Sequence, residues 1–151
     1  METLIIGYGN TIRRDDGAGP AVAEMMANQS LPGVQSRWVH QLTPDLAAEI
    51  ATVDCVFFVD AILWTSDVSP KVQIQSLEPY HRDNSLGHHC DPRSLLALSG
   101  LLYDRIPHAY WVLIPAVDFE FGETFSEVTQ MAIPIAVDKI TYLCNYQLQL
   151  P

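Results

Sequence analysis

The most restrictive feature of this sequence is an alternation of short apolar segments with segments of helical periodicity. Cys55–Val59 (CVFFV) is continuously apolar, as expected for a strand buried on both faces of a parallel sheet. Two further apolar segments, Leu4–Tyr8 and Ala109–Ile114, have the length of a strand, and Val34–Val39, which follows a Leu-Pro-Gly breaker, is also predicted to be a strand. Val72–Leu77 alternates between apolar and polar residues, which predicts an edge or antiparallel strand. The sequence therefore predicts five strands.

Two helices are predicted in the first third of the chain. Apolar residues recur at helical spacing from Gly17 to about Asn28, before a Leu-Pro-Gly breaker. The second helix is predicted to open at Thr43, as a possible N-cap, with Pro44 at the first helical position. Both helices lie between predicted strands, as crossover connections between parallel strands require.

Two more helices are predicted in the second half. Asp91-Pro92 opens one that carries leucines as far as Leu102. Ser126 is placed to cap the final helix, and Pro134 inside that helix is expected to kink or divide it. Strands that alternate with helices in this way predict an α/β fold, a three-layer sandwich with a mostly parallel five-stranded sheet and helices on both faces.

Composition limits the class of protein. Hydrophobic residues make up 48% and charged residues 17% of the 151 residues, which is enough for a substantial core, so we expect a single domain over residues 1–151. No apolar run reaches the roughly 18 residues that a membrane-spanning helix needs. The N-terminal segment has no basic region followed by a small-residue cleavage site. We therefore expect a cytoplasmic protein.

The net charge narrows the range of partners. Eighteen acidic and eight basic residues give a formal charge of −10. Nucleic acids and anionic membranes are bound by clustered lysine and arginine, so this charge balance argues against both as partners. A metal ion or a basic protein segment is compatible with the charge, although the charge also has a plain explanation in solubility. We expect no nucleic acid, no membrane and a monomer.

Candidate ligands follow two predicted strands and precede a predicted helix. In open α/β sheets, ligands bind at the carboxyl ends of the strands near a topological switch point. The loop after the first strand carries Asp16, and the third strand is predicted to end directly in Asp60. His88 and His89 lie in the loop before the third helix. Two carboxylates and an imidazole are oxygen and nitrogen ligands that suit a divalent transition metal.

Each of these elements has a simpler explanation. Gly7-Tyr8-Gly9 suggests a dinucleotide-binding turn, but the third glycine of that motif falls on Ile12. The Asp15-Asp16-Gly17 segment is also typical of a turn or a helix N-cap, and Asp60 is also placed to act as an N-cap. A histidine in a loop is often only solvated. The argument for a site therefore rests on the convergence of these residues at one edge of the sheet.

Competing hydrolase chemistries lack their motifs. The three cysteines have no CxxC spacing, and Cys55 is expected to be a core residue. Cys90 follows two histidines, but adjacent side chains seldom face each other productively, so a cysteine-histidine pair is disfavoured. Neither a GxSxG nucleophile turn nor an HExxH zinc motif occurs.

These motifs resemble one family, the nickel-iron hydrogenase maturation proteases. The most specific block is GYGN (residues 7–10) followed by DDGAG (residues 15–19). FFVDA (Phe57–Ala61) is similar to the family's apolar strand that ends in Asp, and HHCDPRSLLAL (His88–Leu98) to its histidine loop and helix. HQLTPDL (His40–Leu46) resembles the branch that serves bidirectional, NAD-linked hydrogenases.

The resemblance implies a function and roles for residues. It implies an endopeptidase that removes a C-terminal peptide from the nickel-loaded precursor of a hydrogenase large subunit. Asp16, Asp60 and His88 are the implied nickel ligands, with His89 as an alternative to His88, and Asp16 is the implied catalytic residue. The nickel belongs to the precursor, and no other cofactor site is implied. Asp15 is left as a supporting or helix-capping group.

Two other functions remain open at this stage. A non-catalytic nickel chaperone would use the same three ligands without cleaving any precursor. A small nucleotide-binding domain would bind a dinucleotide at the first turn, although the missing third glycine disfavours it.

Overall fold

The computed structural model describes residues 1–81 and 90–147. The elements in chain order are β1 (Thr3–Tyr8), a short 3₁₀ helix (Arg14–Gly17), α1 (Ala18–Gln29), β2 (Val34–Val39), α2 (Leu46–Ile50), β3 (Cys55–Leu63), β4 (Gln73–Leu77), α3 (Pro92–Tyr103), β5 (His108–Ala116) and α4 (Glu127–Tyr142), followed by a π-helical turn (Leu143–Gln147).

The five strands form one sheet in the order β2-β1-β3-β5-β4. The pairs β1–β2, β1–β3 and β3–β5 are parallel, and β4 pairs antiparallel with β5 at the edge. The predicted mostly parallel sheet and its antiparallel strand are therefore confirmed. The chain moves from β1 outward to β2 and then crosses to β3 on the other side of β1, so the topological switch point lies between β1 and β3.

Helices cover both faces of the sheet. On one face, α1 and α4 pack on a core cluster that includes Phe57 and Val112. On the other face, α2 and α3 pack on a second cluster that includes Phe58 and Ile6. Phe57 and Phe58 are adjacent in β3 and are both fully buried. Since successive side chains of a strand point to opposite faces, this central strand is apolar and buried on both faces from Cys55 to Val59.

The third and fourth helices begin where the sequence predicts. Asp91 caps α3 by accepting a hydrogen bond from the backbone N–H of Ser94 (2.9 Å), and the Ser94 hydroxyl in turn accepts from the backbone N–H of Asp91 (2.8 Å). Ser126 caps α4 by accepting from the backbone N–H of Thr129. These reciprocal contacts satisfy N–H groups that the first turn of a helix leaves without partners.

Two predicted boundaries are wrong. α2 begins at Leu46, and Thr43 is not its N-cap because residues 44–45 form a turn before the helix. β3 does not end at Asp60 but continues to Leu63, because β5 provides apolar partners as far as Ala116. Asp60 is therefore a strand residue and not an N-cap.

Pro134 does not divide α4, which is continuous from Glu127 to Tyr142. The helix keeps its apolar face against the sheet on both sides of the proline, with Ile133 and Ala136 buried. This packing compensates for the backbone hydrogen bond that a proline cannot donate. Among the helices of residues 1–81 and 90–147, none has the length and apolar character to cross a membrane.

Two glycines bring the start of α1 against the sheet. A Cβ atom on Gly19 would lie 2.3 Å from the carbonyl oxygen of Val59, and one on Gly7 would lie 2.1 Å from the carbonyl oxygen of Gly19. Any larger side chain at either position would force α1 away from β1 and β3. This close packing holds the segment before α1 above the carboxyl ends of these two strands.

Candidate functional site

The candidate site lies where β1 ends beside β3. The last paired residues of these strands are Gly7 and Val59. The next residues, Tyr8 and Asp60, therefore stand at the carboxyl edge of the sheet, at the switch point. Asp60 still pairs with Leu113 of β5, so its backbone is held on one side while its side chain lies at the edge.

Asp16 is brought to this edge by a turn, residues 10–17, which we call the Asp16 turn. Its carboxylate accepts a hydrogen bond from the backbone N–H of Asn10 at 2.7 Å. Gly9 has a φ of +147°, and a Cβ atom there would lie 2.0 Å from the carbonyl oxygen of Asp16. Only glycine allows both the backbone conformation and this close approach. Asp16 does not cap α1, because the N-cap position belongs to Gly17.

The two predicted carboxylates lie close enough to interact electrostatically. Burial is the main cause that raises the pKa of Asp60, to about 7. Hydrogen bonds from Tyr8 and from the backbone N–H of Ala61 partly oppose the rise, and the negative charge of Asp16 adds to it. A cation at this edge would interact favourably with both carboxylates and would favour the ionised form of Asp60.

The third predicted ligand cannot be placed. His88, and its alternative His89, lie outside the described residues. Within residues 1–81 and 90–147, no three acidic, histidine or cysteine side chains are grouped closely enough to hold a metal ion. The structure thus brings together Asp16 and Asp60, and the complete ligand set stays a prediction.

Cys90 is not prepared to act as a nucleophile. Its thiol is free, and burial first and the charge of Asp91 second raise its pKa. A raised pKa keeps the thiol protonated, whereas a catalytic cysteine needs a thiolate. Cys55, predicted as a core residue, is fully buried in β3.

Asp15 holds the Asp16 turn in place through hydrogen bonds to the segment before α4. Its side chain is fully buried and accepts four hydrogen bonds: from the backbone N–H groups of Val117 (2.9 Å), Asp118 (3.0 Å) and Ser126 (2.8 Å), and from the Ser126 hydroxyl (2.7 Å). Burial alone would raise the pKa of Asp15, but these hydrogen bonds outweigh it and hold the pKa below its usual range. Asp15 therefore joins the Asp16 turn to the N-terminus of α4.

Arg14 strengthens the same connection. It adopts a left-handed backbone conformation with φ of 45°, and its backbone N–H donates to the carbonyl oxygen of Gly122 at 2.9 Å. Its guanidinium forms an ion pair with Asp118 and donates to the carbonyl oxygen of Thr124 at 2.9 Å. The Asp16 turn is thus fixed by long-range contacts to the loop between β5 and α4, residues 117–126.

Sequence reasoning missed Tyr8, whose phenol lies beside Asp60, and Trp111, whose indole contacts Tyr8. Tyr8 donates a hydrogen bond to the Asp60 carboxylate, and its phenol oxygen accepts one from the indole N–H of Trp111 at 3.1 Å. The available signal was the position of Tyr8, an aromatic residue with a polar tip at the carboxyl end of a buried strand. Its link to Trp111, 103 positions later, required the tertiary structure.

The geometry does not favour the dinucleotide-binding interpretation. After Gly9 the chain forms a turn and a 3₁₀ helix, and α1 starts only at Ala18. A dinucleotide-binding turn places the pyrophosphate at the N-terminus of the helix that follows the glycines directly. At the position of the third glycine, Ile12 is 51% exposed and does not pack against the strand.

Comparisons with known proteins show that this chain is similar to several solved structures. No family model and no curated protein matches the sequence. A nickel-iron hydrogenase maturation protease, HybD from Thermococcus kodakarensis, superposes with a TM-score of 0.71 at 20% identity, covering 95% of this chain and 99% of that one.

Two further solved structures agree. HycI, a nickel-iron hydrogenase maturation protease from Thermococcus kodakarensis KOD1, has a TM-score of 0.74 at 20% identity, with 95% of this chain and 92% of that chain covered. The hydrogenase maturating endopeptidase HybD from E. coli has a TM-score of 0.68 at 17% identity, with 96% and 93% covered. The superpositions span nearly the whole of each chain. This chain therefore has the fold of the nickel-iron hydrogenase maturation proteases.

Proposed function

We propose that this protein is an endopeptidase that removes a C-terminal peptide from the nickel-loaded precursor of a nickel-iron hydrogenase large subunit. The observation that carries the proposal is the meeting of Asp16 and Asp60 at the topological switch point between β1 and β3. Asp16 belongs to the DDGAG segment of the N-terminal block and Asp60 to the FFVDA segment of β3, so the two most similar motifs supply the two carboxylates. The fold shared with maturation proteases supports the same class of reaction.

In this proposal the two carboxylates dock the nickel that the precursor carries. Carboxylate oxygens and an imidazole nitrogen are suitable ligands for a divalent transition metal, and His88 or His89 would supply the imidazole. Burial disfavours the charge of Asp60 when no cation is present. A precursor without its metal would therefore bind only weakly at this edge of the sheet, whereas the nickel of a loaded precursor would bind the carboxylates and hold the precursor in one orientation.

The proposed reaction is hydrolysis of one peptide bond near the C-terminus of the precursor. A water oxygen adds to the carbonyl carbon, the carbon–nitrogen bond breaks, and the released amine takes a proton. Asp16 is the proposed catalytic residue, because its carboxylate lies at the edge and is oriented by the Asn10 N–H. Asp16 would accept a proton from the attacking water, while the substrate's metal polarises the carbonyl group.

The similarity of HQLTPDL (His40–Leu46) to one branch leads us to propose a bidirectional, NAD-linked hydrogenase as the source of the precursor. His40 follows the carboxyl end of β2 and is exposed. A comparison of precursors from bidirectional and other hydrogenases as substrates tests this assignment. Equal cleavage of both would contradict it.

The test of the main proposal incubates the protein with nickel-loaded and nickel-free precursor and follows the intact mass of the precursor. We expect loss of a short C-terminal peptide from the loaded precursor only. Asp16→Ala should abolish the cleavage without unfolding the protein. Asp138→Ala, which removes an exposed carboxylate from α4, is the matched control and should cleave normally.

Two results would contradict the proposal. An active Asp16→Ala variant would remove Asp16 from the catalytic role. Binding of the loaded precursor without any change of mass would favour a nickel chaperone instead.

A further inference from the structure

Three side chains with polar tips converge from the three central strands on one face of the sheet. Tyr8 belongs to β1, Asp60 to β3 and Trp111 to β5. They lie on the face that α2 and α3 cover, because Tyr8 and Trp111 pack against the core cluster of that face. Among these three side chains, that of Asp60 lies at the carboxyl edge of the sheet.

The chemistry of the three groups sets the direction of the hydrogen bonds between them. The indole N–H of Trp111 is a donor only, so the phenol oxygen of Tyr8, 3.1 Å away, must accept from it. The phenol oxygen accepts from Trp111, so the single phenol hydrogen is left for an oxygen of Asp60, which can accept it in either protonation state. A phenol is protonated at neutral pH, so this hydrogen stays in place.

The hydrogen bond from Tyr8 restricts the Asp60 carboxylate. Without partners, a carboxylate rotates readily about its terminal torsion. Tyr8 and Asp60 follow the paired residues Gly7 and Val59 on neighbouring strands, so their side chains lie next to each other on the same face, where the phenol lowers the pKa of Asp60 through a hydrogen bond. This contact uses one of about four lone-pair positions of the carboxylate, and the remainder are available to a cation. We propose that Tyr8, itself held by Trp111, is a positioning residue that fixes the Asp60 carboxylate for docking the nickel of the precursor.

This inference rests on the proposed function, and it concerns the phenol hydroxyl and not the aromatic ring. Tyr8→Phe keeps the ring that packs against the core and removes only the hydroxyl. Trp111→Phe removes the indole N–H that orients the phenol. Tyr110→Phe is the matched control, because Tyr110 directly precedes Trp111 in β5 and packs against Phe57 on the opposite face, with ring centroids 5.2 Å apart.

The first measurement compares KM and kcat for the nickel-loaded precursor. A hydrogen bond to a charged group contributes enough that its loss corresponds to about a tenfold change in binding. We expect Tyr8→Phe to raise KM about tenfold and to change kcat less than about threefold, since the lost contact orients a docking group. Trp111→Phe should raise KM about threefold, and Tyr110→Phe should leave both constants unchanged.

The double variant separates positioning from general packing. If Trp111 acts only through Tyr8, the variant Tyr8→Phe/Trp111→Phe should have the KM of Tyr8→Phe alone. Independent packing effects would instead multiply. Thermal unfolding of each variant checks that the fold is kept. An unchanged KM in Tyr8→Phe, or a double variant whose effects multiply, would overturn the inference.

A second measurement does not depend on proteolysis. Calorimetric titration of the free protein with Ni²⁺ compares the wild type with Tyr8→Phe, and we expect weaker binding by the variant. If the wild type cleaves no precursor, the proposed function fails, and this titration alone decides the positioning role. Equal affinities of the wild type and Tyr8→Phe for Ni²⁺ would overturn the inference.

Discussion

Replacement of Asp15 by asparagine should destabilise the protein strongly although it changes almost no volume. The carboxylate accepts four hydrogen bonds at full burial. Three of the donors converge on one oxygen, so the asparagine carbonyl will take that position. The asparagine NH₂ group then faces the backbone N–H of Ser126, where two donors meet without an acceptor.

The magnitude follows from these contacts. One buried N–H without a partner costs about 1–3 kcal/mol, and the other three hydrogen bonds lose their charge assistance. We therefore expect Asp15→Asn to lower the free energy of unfolding by about 3 kcal/mol, out of the roughly 5–15 kcal/mol typical of a domain. Asp15→Ala leaves three backbone N–H groups unsatisfied and should cost about 5 kcal/mol.

Urea unfolding followed by circular dichroism measures this difference, with Asp138→Asn as the control for an exposed carboxylate. The pH dependence has a definite sign. Because the pKa of Asp15 is lowered in the folded protein, its contribution is present above the ordinary carboxyl pKa of about 4 and is lost as the pH falls. The gap between wild type and Asp15→Asn should therefore stay constant from pH 7 to about pH 4 and narrow below it.

Two results would refute this reasoning. A difference at pH 7 below about 1 kcal/mol would mean that the Asp15 network contributes no more than an ordinary surface contact. A large difference that stays constant on acidification would mean that the carboxylate charge is not its cause.

Three further perturbations test the surroundings of the site. Because the pKa of Asp60 is raised to about 7, the wild type should lose stability as the pH rises from about 4 to 7, by at most about 4 kcal/mol. Asp60→Asn removes this loss, so urea unfolding at pH 8 should show a more stable variant that no longer processes precursor. Gly9→Ala should displace the Asp16 turn and reduce cleavage, because its Cβ would lie 2.0 Å from a backbone oxygen. Gly100→Ala, whose Cβ meets only the side chain of Ile106, should retain cleavage in the same mass assay. Ser126→Ala should lower the unfolding free energy by about 1 kcal/mol through loss of the α4 cap; the same change in an Asp15→Asn background should cost less, because the two side chains share a hydrogen bond.

Local patterns were sufficient to predict most secondary-structure elements. The prediction for β2, Val34–Val39, matches the observed strand. The Leu-Pro-Gly segment before it ends the preceding helix, so the start of the strand could be predicted from local sequence. Asp91-Pro92 predicted the start of α3 correctly, since the capping side chain and the first helical position are neighbours in sequence. Such signals depend on contacts within a few residues and need no tertiary information.

One error arose where a distant segment decides the local structure. Asp60 was predicted to end β3, because a charged residue after an apolar run usually marks the end of a buried strand. Pairing with β5 instead extends β3 to Leu63. Thr43-Pro44 has the composition of a helix start, yet α2 begins at Leu46.

The sequence by itself determined the class of the fold and the two acidic residues of the candidate site. Apolar segments that alternate with helical segments allow few arrangements besides a parallel sheet covered on both faces. The carboxyl ends of parallel strands share one edge, so Asp16 and Asp60 were expected together before any coordinates.

Only the tertiary structure decided what supports these carboxylates. Asp15 accepts hydrogen bonds from residues more than 100 positions away, and Tyr8 accepts one from Trp111 across 103 positions. Such partners leave no local pattern, because a side-chain hydrogen bond depends on where the packed elements bring two groups and not on their spacing in the chain. The buried environment that raises the pKa of Asp60 has the same origin.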